Sequence, residues 1–240
     1  MISVVIPAYN EEFRISSTIL EIYNFFREVE HEILVVSDGS TDNTVSVIEA
    51  LRAKYKSLRI ESYIENEGKG YAVKTGVLKA KGELILVVDA DGATPIMDFD
   101  KLYSQLQYGY EVIIGSRSIK DPTINIQVKL IRHIMGKVFN FFVRLIVLPG
   151  ISDTQCGFKL FTSAAAGRIF EKLNDRRFAY DVEALLIARS LGYRIREVPV
   201  NYTGVDNSKV SLIRDSVSMF LKLIIFKFRF LAGKYKNSRD

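Results

Sequence analysis

Through the first half of this chain, short apolar runs rich in β-branched residues alternate with segments of helical period. That order leaves little choice but a largely parallel sheet covered by helices on both faces. Ile2–Ile6, Glu32–Val36, Arg59–Ile64, Glu83–Asp89 and Glu111–Gly115 read as strands, and Glu11–Arg27, Thr41–Tyr55, Gly70–Ala80 and Phe99–Gln107 read as the helices between them. With 240 residues, 48% of them hydrophobic, one α/β domain with a sizeable core is expected. In such a sheet, ligands bind beyond the carboxyl ends of the strands. The second half reads as a long basic-apolar helix (about 126–147), a loop over Asp153–Lys159, a helix near Asp181–Ser190, a short strand pair near 193–203 and a final helix from about Lys209.

The chemistry-bearing residues fall at the expected ligand edge. Asp89-Ala90-Asp91 leaves a strand of solid apolar character, Leu84 to Val88. Two carboxylates at i and i+2 can converge there on one hard cation, Mg²⁺ or Mn²⁺, which takes its remaining ligands from phosphate and water and neutralises a diphosphate. A D-x-D alone is weak, because Asp and Gly are common in turns; its place after a buried strand gives it weight. Asp38 ends the second strand, where it serves either the turn or a nucleoside or metal-diphosphate. No G-x-G-x-x-G follows the first strand, which counts against a dehydrogenase. Glu67-Gly68-Lys69-Gly70 opens a helix, so the backbone and Lys69 can approach a phosphate; a flexible helix start explains the segment equally well. Arg117 follows the fifth strand and suits bidentate phosphate binding, whereas Arg132 alone reads as a surface arginine.

Charge narrows the partners. The net charge is +5, and the excess is local: between Ile126 and Leu148 there are four Lys/Arg and no acid, and from Val205 onward eight Lys/Arg against three acids. These cations sit among aliphatics and phenylalanines, the composition of helices that lie in a membrane interface. A core-packed helix with a solvated stripe is the plainer alternative. No nucleic acid is expected, since the basic residues are not arrayed on a polar face with stacking aromatics. No run reaches the roughly 18 uncharged apolar residues of a membrane span, and the amino-terminal run lacks the basic region of a signal peptide. Cys156 is the single cysteine, which rules out an intrachain disulfide and points to a reducing compartment. It has no paired base, and His31 and His133 have no partner at metal-ligand spacing.

Taken together, Val4-Val5-Ile6-Pro7-Ala8-Tyr9-Asn10-Glu11-Glu12, Ser37-Asp38-Gly39-Ser40-Thr41-Asp42 and Asp89-Ala90-Asp91-Gly92-Ala93-Thr94 resemble the inverting family 2 glycosyltransferases of GT-A fold. Gly115-Ser116-Arg117, Asp153-Thr154-Gln155-Cys156-Gly157-Phe158-Lys159 and Phe178-Ala179-Tyr180-Asp181-Val182-Glu183 resemble the dolichyl-phosphate β-glucosyltransferase branch. The resemblance implies a catalytic domain over 1–204, with its basic-apolar helix at about 126–148, and a basic amphipathic segment over 205–240. It implies a UDP-glucose donor and a dolichyl or polyprenyl phosphate acceptor at the cytoplasmic face of a membrane, held peripherally. Pro7, Tyr9, Glu11 and Asp38 would border the nucleoside. Lys69 and the Asp89-Ala90-Asp91 segment would meet the nucleotide-sugar, with Asp89 and Asp91 on the metal. Arg117 and Arg132 would grip the acceptor phosphate, Asp153 would line the site near the sugar, and Lys209 would close over the phosphates. Asp91, Asp153 and Arg117 are thus the expected catalytic group.

Two departures qualify this. Ser37 stands where many relatives carry a first Asp, and Ala93 where mannosyl-transferring relatives carry a Gln, which favours the glucosyl branch. UDP-N-acetylglucosamine, UDP-galactose and GDP-mannose remain alternative donors. A non-catalytic protein that binds anionic lipid remains the alternative of another class, but it leaves Asp38, Asp89 and Asp91 unexplained.

Overall fold

The computed structural model describes residues 1–128, 130–204 and 214–236. In chain order the elements are β1 (Ile2–Ala8), α1 (Ile15–Phe25), β2 (His31–Asp38), α2 (Thr44–Arg52), β3 (Leu58–Tyr63), α3 (Lys69–Lys79), β4 (Leu84–Val88), α4 (Phe99–Tyr103), β5 (Val112–Ser116), β6 (Ile126–Gln127), α5 (Leu130–Ile146), β7 (Phe158–Thr162), α6 (Ser163–Lys172), α7 (Tyr180–Ser190), β8 (Ile195–Pro199), β9 (Tyr202–Thr203) and α8 (Arg214–Leu231). Seven strands form one sheet in the order β3-β2-β1-β4-β7-β5-β8, and β6 and β9 form a small parallel pair. Every strand of the large sheet is parallel to its neighbours except β7, which runs antiparallel between β4 and β5.

The central strands β1, β2 and β4 are buried along almost their whole length because both faces are covered. Alternate residues serve opposite cores: Val4, Ile6, Leu86 and Val88 pack with α1, α2 and α4, while Val5, Val87 and Phe161 pack with residues of α3, α5, α6, α7 and α8. This is the period-2 alternation of a strand between two helical layers. Helix α8 belongs to the second core, where Met219, Leu223 and Phe226 are buried.

The structure corrects several sequence expectations. The first two helices start late, at Ile15 and Thr44, because residues 9–14 and 40–43 knit the two loops together. Asn10, at φ +55°, accepts the Thr41 N–H on Oδ1 (2.8 Å), and its own N–H goes to Ser40 Oγ (3.1 Å). The expected loop Asp153–Lys159 gives its last two residues to β7. The strands near 193–203 do not pair with each other: β8 adds to β5, and β9 to β6. Residues 126–127, read as helix, are β6. Among the described residues no helix is long and apolar enough to cross a membrane.

Candidate active site

Because β7 runs antiparallel, its amino end reaches the same sheet edge as the carboxyl ends of β4 and β5. The loop 153–157 is thereby laid against Asp89, whose N–H donates to Gly157 O (3.1 Å). A Cβ on Gly157 would fall 2.0 Å from Asp89 Oδ2, so only glycine leaves that carboxylate its place. Lys69, the first residue of α3, puts Nζ 2.6 Å from Asp89 Oδ1. Beneath lies a buried pair in which Lys159 Nζ donates to Asp181 Oδ1 and to Cys156 O, each at 2.5 Å. On the β5 side, Arg117 and Asp153 form a two-point ion pair, and the Tyr202 ring covers the guanidinium at 4.9 Å. Glu197 on β8 accepts the N–H groups of Ser152 and Asp153 (2.7 and 2.9 Å) and so fixes that loop.

These groups shift one another. Burial alone would raise Asp89, but Lys69 outweighs it, with Lys159 and Arg117 adding, and the carboxyl lies below its usual range. Lys69 is raised: burial opposes its charge, and Asp89, then Asp181, overcome it. Asp91 is raised by burial and then by the Asp89 charge. Asp153 is pulled down to about 2 against its burial, chiefly by Arg117. Burial pushes the Cys156 thiol up to about 11, as befits an inert buried cysteine.

Asp91 accepts the Ala93 N–H on Oδ1 (3.1 Å), and no cation pairs with it among the described residues. Two carboxylates that repel each other at the mouth of the sheet fit a divalent cation. No third His, Cys, Asp or Glu completes a cluster among the described residues. A pair of carboxylates completed by phosphate and water oxygens suits Mg²⁺ or Mn²⁺ rather than a closed structural site.

Pro7, Tyr9, Glu11 and Asp38 lie on the β1–β2 side of the same edge. Pro7 is buried near the end of β1, with Tyr9 and Glu11 half-buried in the loop beyond it. Thr18 of α1 donates to Ala90 O (2.9 Å) and ties that side to the acid loop. Asp38 is buried, and its carboxylate accepts from Asn66 Nδ2 and from the N–H groups of Glu67 and Gly68 at 2.9–3.2 Å. It thus holds the loop that delivers Lys69. Arg132 belongs to α5 but its side chain is outside the described set, and Lys209 lies outside the described residues. Gly157, Lys159 and Asp181 appear in the sequence motifs without a role, and Glu197 and Tyr202 in none of them. Their partners stand 22 to 85 residues away in the chain, beyond any spacing rule.

A nucleotide-sugar transferase of GT-A type is what this sheet and acid-lined edge define, and the sequence pattern of Glycosyl transferase family 2 matches residues 3–170. The chain belongs to that family and is a glycosyltransferase. It is 37% identical to the dolichyl-phosphate β-glucosyltransferase of Dictyostelium discoideum, over 98% of this chain and 76% of that one. It is 38% identical to the protein of that name from Mus musculus, over 98% and 77%. Among solved structures, glucosyl-3-phosphoglycerate synthase from Mycobacterium tuberculosis in complex with Mn²⁺ and UDP-glucose superposes with a TM-score of 0.69 at 18% identity, over 97% of this chain and 79% of that one. That likeness establishes the fold, and the motif resemblance is borne out by the sequence relatives.

Proposed function

We propose that the protein transfers glucose from UDP-glucose to dolichyl or another polyprenyl phosphate, with inversion, at the cytoplasmic face of a membrane to which it binds peripherally. The observation that carries this reading is the convergence of Asp89 and Asp91 with Lys69 and the Arg117–Asp153 pair at one sheet edge. The names of the sequence relatives support the donor and acceptor classes.

Asp89 and Asp91 would hold Mg²⁺ or Mn²⁺, which would supply positive charge against a departing nucleoside diphosphate. Lys69 adds a point charge on the diphosphate side. Pro7, Tyr9 and Glu11 border the nucleoside, and Asp38 shapes the loop beside it. Arg117 presents the acceptor phosphate, held in place by Asp153; Arg132 and Lys209 are given to the same phosphate on the family resemblance alone. The nucleophile is a phosphate oxygen already anionic near neutral pH, so no general base is needed to create it. Catalysis then rests on orientation and on charge placed in advance. One displacement at the anomeric carbon turns an α-linked donor into a β-linked lipid phosphosugar.

Residues 1–204 serve as the catalytic unit and 205–240 supply the second interfacial helix. Helix α5 exposes Ile134, Val138, Phe141 and Leu145, and α8 exposes Leu221, Ile224, Ile225, Phe228 and Leu231. Both rows follow helical spacing, and the two helices meet through Phe142 and Phe220, ring centroids 5.1 Å apart. Lys137 and Arg144 are exposed on α5, a combination suited to an anionic bilayer surface.

The test is a panel of UDP-glucose, UDP-N-acetylglucosamine, UDP-galactose and GDP-mannose with a short polyprenyl phosphate, run with and without a chelator. Glucose transfer that the chelator abolishes is expected. Preference for another donor would replace UDP-glucose, and transfer undiminished by the chelator would remove the metal from the reading.

A further inference from the structure

Around Asp89, three cations and three carboxylates of the described residues are paired one to one, and Asp91 beside them is left over. Lys69 is on Asp89, Lys159 on Asp181 and Arg117 on Asp153, at 2.6, 2.5 and 2.7 Å. Asp91 has no cation partner among the described residues. Two of the three pairs are locked. Lys159 and Asp181 are both buried, and Arg117 meets Asp153 at two points and through its backbone. Lys69 differs. It reaches Asp89 from the first turn of a helix, through one contact, with about a quarter of its side chain exposed. Its ammonium therefore lies in ion-pair contact with a carboxylate oxygen on which a metal ion would otherwise draw, and that buried oxygen has no hydrogen-bond donor of its own among the described residues.

We infer that Lys69 is a resident cation that shields Asp89 from free divalent metal, so that metal and nucleoside diphosphate bind cooperatively rather than in sequence. The inference rests on the metal-dependent reading above. A metal ion arriving alone would have to share Asp89 with an ammonium held within a few ångströms, and its gain from Asp91 would be offset by that repulsion. A diphosphate changes the balance. It brings oxygen ligands for the metal and a new anionic partner for Lys69, whose stem leaves it free to swing from Asp89. The arrangement also explains how two carboxylates suffice as a metal site, with no third protein acid among the described residues. The donor completes the coordination and removes the competitor in one event. Thermodynamic reciprocity then requires metal to tighten nucleotide by the same factor as nucleotide tightens metal.

The experiment is titration of the full-length protein with Mn²⁺, following free Mn²⁺ by electron paramagnetic resonance, with and without UDP. Wild type is compared with Lys69→Met, which keeps the stem and loses the charge, and with Lys69→Arg, which keeps the charge. Wild type and Lys69→Arg should bind Mn²⁺ weakly alone and far more tightly with UDP. Lys69→Met should bind Mn²⁺ alone on the order of tenfold more tightly than wild type, and the factor by which UDP improves its Mn²⁺ binding should shrink. Thermal melting of each variant identifies any that is unfolded, in which case Lys69→Gln replaces it. Unchanged or weaker Mn²⁺ binding by Lys69→Met without UDP overturns the inference while leaving metal dependence standing. Failure of wild type to bind Mn²⁺ even with UDP overturns the metal-dependent reading and the inference with it.

Discussion

Arg117 and Asp153 are joined at three points: Nε to Oδ2 at 2.7 Å, Nη2 to Oδ1 at 2.9 Å, and the Arg117 backbone N–H to Oδ2 at 3.0 Å. Asp153 is only 1% exposed, so the arginine is a fixed part of the site wall rather than a mobile surface cation. Removing it strands a buried carboxylate. Arg117→Ala should cost roughly 3 kcal/mol of stability, because a broken buried pair leaves an uncompensated charge. It should also raise the KM for a short polyprenyl phosphate on the order of tenfold, the loss of a charge-assisted contact, and leave UDP affinity nearly unchanged. Urea unfolding and separate acceptor and UDP titrations check this. A selective loss of UDP affinity would place Arg117 on the donor side.

The same pair predicts a pH dependence. Asp153 is held at about 2 in the folded protein, against about 3.9 for an unperturbed Asp. A depressed carboxyl stabilises the fold fully above its unfolded value, and that contribution fades as pH falls from about 4 through about 2. It amounts to roughly 2–3 kcal/mol at neutral pH. Urea midpoints for wild type and Asp153→Asn should therefore differ most at pH 6, lose roughly half of that difference by pH 3 and draw together only near pH 2. A gap that stays constant with pH would show that Asp153 acts through shape rather than charge.

What was legible in the sequence followed the reach of each signal. The four βα units and the acids at their strand ends are local patterns, and Asp89-Ala90-Asp91 stands where the apolar run Leu84–Val88 required. Strand β7 was not legible. Its Phe158-Lys159-Leu160-Phe161-Thr162 carries a lysine into the middle of the sheet, which reads as a surface loop until Asp181 is known to lie 2.5 Å away. Likewise Asp38 left a turn role and a nucleoside contact both open, since nothing in the chain order says that Asn66, Glu67 and Gly68 return to donate to both its oxygens.

Gly157 lies under Asp89 for want of room rather than for a special backbone angle, because a methyl there would overlap Oδ2. In Gly157→Ala the carboxylate must swing away. Overpacking of this kind costs roughly 1–3 kcal/mol, so the protein should remain folded at 25 °C with a lowered melting temperature. Binding of UDP in the presence of Mn²⁺ should weaken far more than binding of UDP alone. Equal weakening of both would mean that the methyl disturbs the pocket at large and not Asp89 in particular.

The exposed rows on α5 and α8 yield a prediction that separates membrane seating from chemistry. Phe228 is 69% exposed and Phe141 54%, unusual for phenylalanines on helices whose opposite faces are buried in the core. A fully buried Phe gains roughly 1.5–3 kcal/mol on leaving water, and a partly inserted one gains a fraction of that. Phe141→Ser with Phe228→Ser should therefore lower affinity for vesicles containing anionic lipid on the order of tenfold. Lys137→Glu should lower it further at low salt and little at high salt, since exposed charges are screened. Neither change reaches the residues around Asp89, so turnover on a short, water-soluble polyprenyl phosphate should stay near wild type. Vesicle sedimentation alongside that soluble assay measures both. If the double variant sediments like wild type, the rows face something other than lipid, and anchoring must come from elsewhere in the protein.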